Sequence, residues 1–103
     1  MISVKVSYTV KPDFVAQNKV HVSAFLADFK KLTSLNFLYH VYLQEDGQTF
    51  LHISMYENEE VQQQVLNVPS FVYFQEQRDQ SGLAQQPTIE KLQVIGSSLG
   101  LIN

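Results

Sequence analysis

The feature that most constrains the fold is the stretch of residues 36–56, NFLYHVYLQEDGQTFLHISMY, in which two aromatic-rich apolar runs flank a turn. Each run alternates between two sets of side chains, and Glu45, Asp46 and Gly47 between them are typical of a turn. This pattern predicts a β-hairpin. The stretch also carries His40 and His52, two of the chain's three histidines. We therefore expect any pocket of this small protein to be built on the hairpin.

The length of the hairpin loop decides which side chains share a face of the sheet. A two-residue turn at Asp46 and Gly47 would pair His40 with Ile53, whereas a three-residue loop with Gly47 in the left-handed conformation would pair His40 with His52. A one-residue slip exchanges the faces of a strand, and only the longer loop separates an apolar face from a mixed face. Glycine also suits the third loop position. We therefore predict the three-residue loop.

This register assigns the side chains of the hairpin to two faces. The apolar face would consist of Phe37, Tyr39, Val41, Leu43, Thr49, Leu51, Ile53 and Met55. The mixed face would consist of Leu38, His40, Tyr42, Gln44, Phe50, His52, Ser54 and Tyr56.

The first third of the chain predicts a strand and a helix. Residues 2–11 alternate with period two, which predicts a strand that Pro12 ends. Asp13 is a candidate cap for a helix over residues 14–32. The helix carries one apolar stripe, made of Val15, Val22, Phe25, Leu26, Phe29 and Leu32. Asn18 falls near the centre of this stripe, so it either bonds locally or points into a cavity.

The chain after the hairpin predicts a broken helix and a last strand. Asn58 is placed to cap a short helix, which ends before Pro69, and Ser70 is placed to cap a second one. Gly82 is a candidate end of that helix. Residues 88–96 read as the last strand, and residues 97–103 as a loosely held tail.

The resulting order, β-α-β-β-α-β, predicts an α+β fold of the ferredoxin-like type, with a four-stranded antiparallel sheet and its helices on one face. The helices cover one face of the sheet only, so we expect the other face to meet a second copy in a symmetric homodimer. The candidate interface residues are those of the mixed face: His40, Tyr42, Phe50, His52 and Ser54.

Composition narrows the function. The chain of 103 residues suits one domain, 45% of its residues are hydrophobic, and its formal net charge is −3. Only seven residues are Lys or Arg, which disfavours nucleic acid and anionic membranes as partners. There is no cysteine, so disulfides and thiolate metal sites are excluded, in keeping with a cytoplasmic protein. No apolar run reaches the ~20 residues of a membrane span, and the N-terminus lacks the apolar block of a signal peptide.

The segment YENEEVQQQVLNVPSFVYFQ, residues 56–75, carries a family resemblance. It has an aromatic residue at the end of the third strand, an acidic helix start, a short break, and a second helix with spaced phenylalanines. In this the chain resembles the antibiotic biosynthesis monooxygenase (ABM) domain of the dimeric α/β-barrel superfamily. The resemblance spans nearly the whole chain. It implies a homodimer with a pocket between sheet and helices in each subunit.

The same resemblance implies an activity and excludes one. Enzymes of this family include oxygenases that form quinones without a cofactor, and we expect no cofactor here. Its heme-degrading branch has a tryptophan where this chain has Tyr56 and a histidine near Gln64 and Val65, and no histidine follows His52. Heme degradation is therefore disfavoured.

The candidate pocket residues are Tyr8, Asn18, Tyr39, Tyr56 and Arg78, which is the only arginine. In the predicted register His40 and His52 are neighbours without a carboxylate beside them, so we expect no metal site. One of them could act as a general base, and the alternative that we prefer places both at the dimer interface. Two hypotheses follow. The first is an ABM-like oxygenase or related enzyme for a small aromatic or polyketide-like substrate. The alternative is a non-catalytic dimeric module that binds a small apolar ligand or has a structural role.

Overall fold

The computed structural model describes residues 1–99. In chain order its elements are β1 (Ile2–Thr9), a 3₁₀ turn (Pro12–Phe14), α1 (Val15–Phe29), β2 (Phe37–Leu43), β3 (Thr49–Tyr56), α2 (Glu59–Leu66), α3 (Pro69–Gln77), a π-helical turn (Arg78–Gly82) and β4 (Thr88–Leu92). The strands form one antiparallel sheet in the order β2-β3-β1-β4. The predicted ferredoxin-like order, with a broken second helix, is confirmed.

The start of α1 differs from the prediction. Asp13 lies inside the 3₁₀ turn and caps nothing with its side chain; Pro12 opens this turn and Phe14 is the residue before α1. Proline suits a first helical position because it has no N–H to leave unsatisfied. Phe14 is buried, and its ring packs against Gly82 of the π-helical turn. This apolar contact fixes the start of α1 in place of the predicted polar cap.

The two helices after the hairpin are capped in different ways. The side chain of Asn58 accepts a hydrogen bond from the backbone N–H of Val61 at 2.9 Å, as predicted. Pro69 takes the first turn of α3, and Ser70 does not cap that helix. The Ser70 hydroxyl instead donates to a carboxylate oxygen of Asp28 at 2.6 Å and so ties α3 to α1.

Gly82 ends the helical region as predicted, but glycine is required there because the ring of Phe14 leaves no room for a side chain. Its φ angle is not positive, and a Cβ atom there would lie 2.5 Å from the ring of Phe14. The carbonyl of Gly82 accepts a hydrogen bond from the N–H of Lys11 at 2.8 Å. This hydrogen bond ties the end of the π-helical turn to the chain just after β1.

The hairpin register is one residue away from the prediction. His40 pairs with Ile53, not with His52, and Leu43 pairs with Phe50. The strands are joined by a four-residue loop, residues 45–48, since the N–H of residue 44 still bonds the carbonyl of residue 49 at 2.8 Å. The predicted three-residue loop is therefore wrong. The observed register is the one that a two-residue turn would have given.

Local hydrogen bonds explain the longer loop. Gly47 has φ +72° and donates its N–H to the carbonyl of Gln44 at 3.0 Å, which closes a β-turn. One carboxylate oxygen of Asp46 accepts from the N–H groups of Gln48 and Thr49 at 2.9 and 2.8 Å, and the other accepts from the Thr49 hydroxyl. These bonds lower the pKa of Asp46. An Asx-type turn thus adds the residue that the prediction omitted.

The shift exchanges the faces of β3. The side chains beneath the helices are Phe50, His52, Ser54 and Tyr56, all of them buried. Those of Thr49, Leu51, Ile53 and Met55 lie on the open face with the even-numbered residues of β2. The prediction that Phe50, His52 and Ser54 belong to an interface on the open face is therefore wrong. His40 and Tyr42 do lie on that face, where they are exposed.

The last strand is shorter than predicted, since β4 ends at Leu92 rather than near residue 96. The predicted loose tail, residues 97–103, lies partly outside the described residues. The core between sheet and helices is aromatic: Phe25, Phe29, Phe71 and Phe74 pack together with centroid distances of 5.0 to 5.7 Å. Among residues 1–99, every helix is too short or too polar to cross a bilayer.

Candidate functional site

A cavity of about 200 Å³ opens between the sheet, α3 and β4. It is lined by Val6, Tyr39, His52, Phe71, Phe74, Gln75, Arg78, Pro87 and Ile89. Most of this wall is apolar or aromatic, and its polar members are Tyr39, His52, Gln75 and Arg78. A closed cavity of ~150 Å³ is known to hold benzene, so this cavity has room for one or two rings.

Two larger clefts, of about 320 and 290 Å³, lie along the edge strand β2. They are more open to solvent than the 200 Å³ cavity, and their charged groups are the exposed Lys19 and Lys30 at the rim. Tyr39 lines both the 320 Å³ cleft and the smaller cavity, but of the three only the smaller cavity also has the buried His52 and Arg78 in its wall. That combination of shape and chemistry makes it the candidate site.

A chain of hydrogen bonds runs from α1 across the helix-covered face of the sheet to this cavity. The amide Nδ2 of Asn18 donates to the hydroxyl of Tyr8 at 3.0 Å. That hydroxyl lies 2.7 Å from Nε2 of His52, and the hydroxyl of Tyr39 lies 2.6 Å from Nδ1 of the same ring. Tyr8, Asn18 and His52 are each at most 2% exposed. We call these four residues the relay.

The strand pairing brings the relay together. Tyr8 pairs with Phe50 and is therefore diagonal to His52 across β1 and β3. His52 pairs with Val41, which places Tyr39 on its other diagonal, across β3 and β2. Diagonal neighbours on one face of a sheet are within reach of aromatic side chains.

The relay carries no charge at neutral pH. Burial, with a smaller contribution from the nearby Arg78, lowers the pKa of His52 to about 3, so its ring is neutral. Burial raises the pKa of Tyr8 and of Tyr39 well above their ordinary value, so both hydroxyls keep their protons. The two tyrosine hydroxyls hold the neutral imidazole of His52 in place, and this imidazole is a poor base towards a ligand.

Arg78 supplies the positive charge of the cavity. Its guanidinium lies 5.0 Å from the ring centroid of Tyr8 and 5.2 Å from that of Phe74, and the residue is 8% exposed. Cation–π contacts of this kind stabilise a partly desolvated cation. Its Nε donates to Asp79 at 3.0 Å, the one hydrogen bond of this guanidinium within residues 1–99. The two Nη groups are therefore available to a ligand.

The predicted pocket residues divide into three sets. Tyr39 and Arg78 line the cavity, and Tyr8 and Asn18 lie directly behind it in the relay. Tyr56 lies elsewhere in the core, stacked on Phe37 at a centroid distance of 6.5 Å, and does not line the cavity. Burial raises its pKa.

His52 is the central residue that the sequence-based prediction placed on the wrong face. The polar Asn18 in an apolar helical stripe was the signal that could have found it, because a buried amide requires polar partners inside. His40, the other histidine of the hairpin, lies on the open face with Nδ1 3.3 Å from the hydroxyl of Tyr42. In the part of the chain that the structure describes, no three His, Asp or Glu side chains group as metal ligands.

Comparison with solved structures identifies the fold. An antibiotic biosynthesis monooxygenase crystal structure superposes with a TM-score of 0.78 and 11% sequence identity, covering 93% of this chain and 100% of that one. Rv0793 from Mycobacterium tuberculosis superposes with a TM-score of 0.78 and 13% sequence identity, covering 94% of this chain and 97% of that one. PA3566 from Pseudomonas aeruginosa superposes with a TM-score of 0.76 and 16% sequence identity, covering 92% of this chain and 94% of that one. No family model and no curated protein matches the sequence.

The sheet order and the cavity beneath the helices define a ferredoxin-like α+β protein with a potential ligand site. More particularly, the chain has the same fold as the antibiotic biosynthesis monooxygenase structure and Rv0793, which is the fold that its sequence resemblance implied.

Proposed function

We propose that the protein is an ABM-like oxygenase that acts without a cofactor on a small aromatic or polyketide-like phenol bound in the 200 Å³ cavity. The observation that carries the proposal is the combination of Arg78 with Tyr39 and His52 of the relay in the wall of an otherwise largely apolar cavity. The aromatic walls suit a planar ring, and the guanidinium suits an ionised oxygen on that ring.

Arg78 would supply the first chemical requirement. An opposite charge within a few ångströms lowers the pKa of an acid, so a phenol held against the guanidinium ionises more readily. His52 need not accept that proton, because both its nitrogens are hydrogen-bonded and its pKa is about 3. The proton would leave through the open mouth of the cavity. The relay would then serve to keep Tyr39 in place.

The reaction would draw its electrons from the substrate. The phenolate passes one electron to dioxygen, and the resulting radical and superoxide combine to form a C–O bond at a ring carbon that carries hydrogen. Cleavage of the O–O bond, with loss of that hydrogen, gives a quinone and one water. One phenol and one dioxygen thus yield one quinone and one water, so no external reductant is consumed. The protein's part is to bind, ionise and keep water away.

The alternative, a non-catalytic module that binds a small ligand, has one observation in its favour. The imidazole that faces the cavity is neutral and bonded at both nitrogens, so the described side chains of the cavity wall include no free base. A site of this kind could hold an aromatic oxyanion without transforming it.

Oxygen uptake separates the two functions. Quinols and anthrone-type phenols are mixed with the protein, and oxygen consumption and quinone formation are followed together. We expect equal amounts of both, and a loss of about 10²-fold in kcat/KM for Arg78→Gln. Lys31→Gln is the matched control, since Lys31 has a 78% exposed side chain. Tight binding without oxygen uptake by any phenol would establish the binding module instead.

We also propose that the open face joins two copies of the chain. Leu51, Ile53 and Met55 of the central strand β3 form its middle, and Tyr42 of β2 is 52% exposed there. Apolar sheet surface of this kind favours a self-complementary interface. Sedimentation should give twice 11.8 kDa for the protein and a monomer for Ile53→Lys. A wild-type monomer at all concentrations would contradict the proposal.

A further inference from the structure

We infer that Asn18 fixes the direction of hydrogen bonding through the relay, so that Tyr39 and Arg78 both present donors to the cavity and its ligand is an aromatic molecule with an acceptor oxygen. Such ligands are phenolates, quinones and aryl ketones. The inference rests on the proposed function in one respect, namely that this cavity is the ligand site. It does not depend on catalysis.

The direction begins at the buried amide. Nδ2 of Asn18 is a donor only, so the oxygen of Tyr8 accepts from it at 3.0 Å. The proton of Tyr8 then needs an acceptor, because a buried O–H without one costs about 1–3 kcal/mol. Within residues 1–99 the remaining hydrogen-bond partner of this hydroxyl is Nε2 of His52, at 2.7 Å. Tyr8 therefore donates to Nε2.

The direction of hydrogen bonding continues through His52. A neutral imidazole has one N–H and one acceptor nitrogen. Since Nε2 of His52 accepts from Tyr8, its Nδ1 carries the proton and donates to the oxygen of Tyr39, 2.6 Å away. The ring faces no titratable carboxylate in the relay, and the cation nearest to it, Arg78, favours the neutral form.

The relay ends at the cavity. The oxygen of Tyr39 accepts from His52, which leaves the tyrosine proton to be donated elsewhere. Among the described residues Tyr39 makes no other hydrogen bond, and its side chain lines the cavity. Arg78 lines the same cavity with donors only. A ligand between them must therefore offer an acceptor, while Gln75 on the wall can serve either kind of group.

The reversed direction would give the opposite selectivity. If Tyr39 donated to Nδ1 of His52, Nε2 would donate to Tyr8. The proton of Tyr8 would then face the donor Nδ2 of Asn18 in the amide orientation of the structure, in which Oδ1 is buried without a partner among residues 1–99. The cavity would then meet the ligand with the lone pairs of Tyr39. Asn18 thus acts as a positioning residue, since it never touches the ligand yet decides what Tyr39 offers to it.

Nitrogen-15 NMR of the full-length, histidine-labelled protein tests the direction without any ligand. Each ring nitrogen of His52 shows whether it carries a proton, and His40 serves as an internal reference because it is exposed. We expect Nδ1 protonated and Nε2 unprotonated. In Asn18→Leu the fixed tautomer should give way to a mixture, which a merely structural role of Asn18 would not produce. A protonated Nε2 in the unaltered protein overturns the inference, whether or not the variant folds.

Two probes of similar size test the ligand class. 1-Tetralone can accept a hydrogen bond and cannot donate one, whereas indole donates through its N–H and has no comparable acceptor. We expect 1-tetralone to bind about tenfold more tightly than indole, and Tyr39→Phe to reduce this preference severalfold. Equal binding, or a preference for indole, overturns the inference.

These measurements are separable from the oxygen-uptake assay. Preference for 1-tetralone together with the Nδ1 tautomer, but without turnover of any phenol, would support the inference and refute the oxygenase. Turnover with the reversed tautomer would do the opposite. If neither probe binds and no phenol is consumed, both proposals are overturned, because the cavity is then not the ligand site.

Discussion

His40 and His52 lie on the two paired strands of one hairpin, yet they have opposite environments. His52 is 2% exposed, touches two tyrosine hydroxyls and stacks on Phe74 at 5.4 Å. His40 is exposed and has one weak contact, 3.3 Å from the Tyr42 hydroxyl. The difference shows that the residue type alone does not make a site. The register of one strand decides which imidazole belongs to the cavity and which to the open face.

The largest effect that separates the two histidines is on stability. We expect His52→Ala to lower the free energy of unfolding by about 3–5 kcal/mol, because it leaves a cavity and removes the imidazole partner of two tyrosine hydroxyls. His40→Ala is the matched control and should stay within about 0.5 kcal/mol. Urea unfolding measures both, at a concentration where the association state is the same. Similar losses for the two variants would contradict the burial of His52 and the exposure of His40.

The next test concerns the stability of the folded protein at acidic pH. The pKa of His52 is about 3 when folded against 6.5 as the ordinary value, so between these pH values the unfolded chain binds more protons. Its contribution to stability is therefore complete above pH 6.5 and is lost as pH falls towards 3, by up to about 1.4 kcal/mol per pH unit. In His52→Gln this slope should shrink, whereas the contribution of the carboxylates, including Asp46, stays. An unchanged slope would show that His52 binds protons equally in the folded and unfolded chains, which would contradict its lowered pKa.

The tyrosines beside the two histidines give a smaller contrast. Tyr39→Phe removes a hydrogen bond from a buried nitrogen of His52, and we expect a loss of about 1–2 kcal/mol. Tyr42→Phe removes the long contact with His40 on the open face and should change stability by less than about 0.5 kcal/mol. Chemical unfolding of the pair measures the difference. A larger loss for Tyr42→Phe would assign the structural role to the open face.

The smallest expected effect concerns the loop that sets the register. Gly47 has φ +72°, so Gly47→Ala should cost about 1 kcal/mol through backbone strain, although no atom lies within 4 Å of the new Cβ. Gly96→Ala meets nothing within 4 Å and has no positive φ, which makes it the matched control. Thermal unfolding of both variants checks the comparison. Equal midpoints would mean that the left-handed turn is not required.

The sequence predicted the order of elements well because three physical signals agreed. The alternation of β1, the helical stripe through Phe25 and Phe29, and the break at Pro69 each permit one local structure. The cap at Asn58 was equally readable. The caps at Asp13 and Ser70 were not, because Phe14 and Asp28 offered alternatives that only the packing of helices reveals.

The site was harder to predict for a physical reason. In β3 both alternating sets are apolar enough to be buried, so the binary pattern that normally fixes the register could not decide. It favoured burial of Leu51, Ile53 and Met55, yet these lie on the open face. A stronger criterion was available. Asn18 in the helix required a buried polar partner, and only the other register supplies His52.

The neutral relay has a practical consequence for anyone who studies this cavity. Between about pH 5 and 9 the relay stays neutral, because burial lowers the pKa of His52 to about 3 and raises the pKa of Tyr8 and of Tyr39 well above this range. A change in ligand affinity with pH across that interval therefore comes from the ligand or from groups outside the relay. The relay itself is a constant, neutral background for a bound phenol.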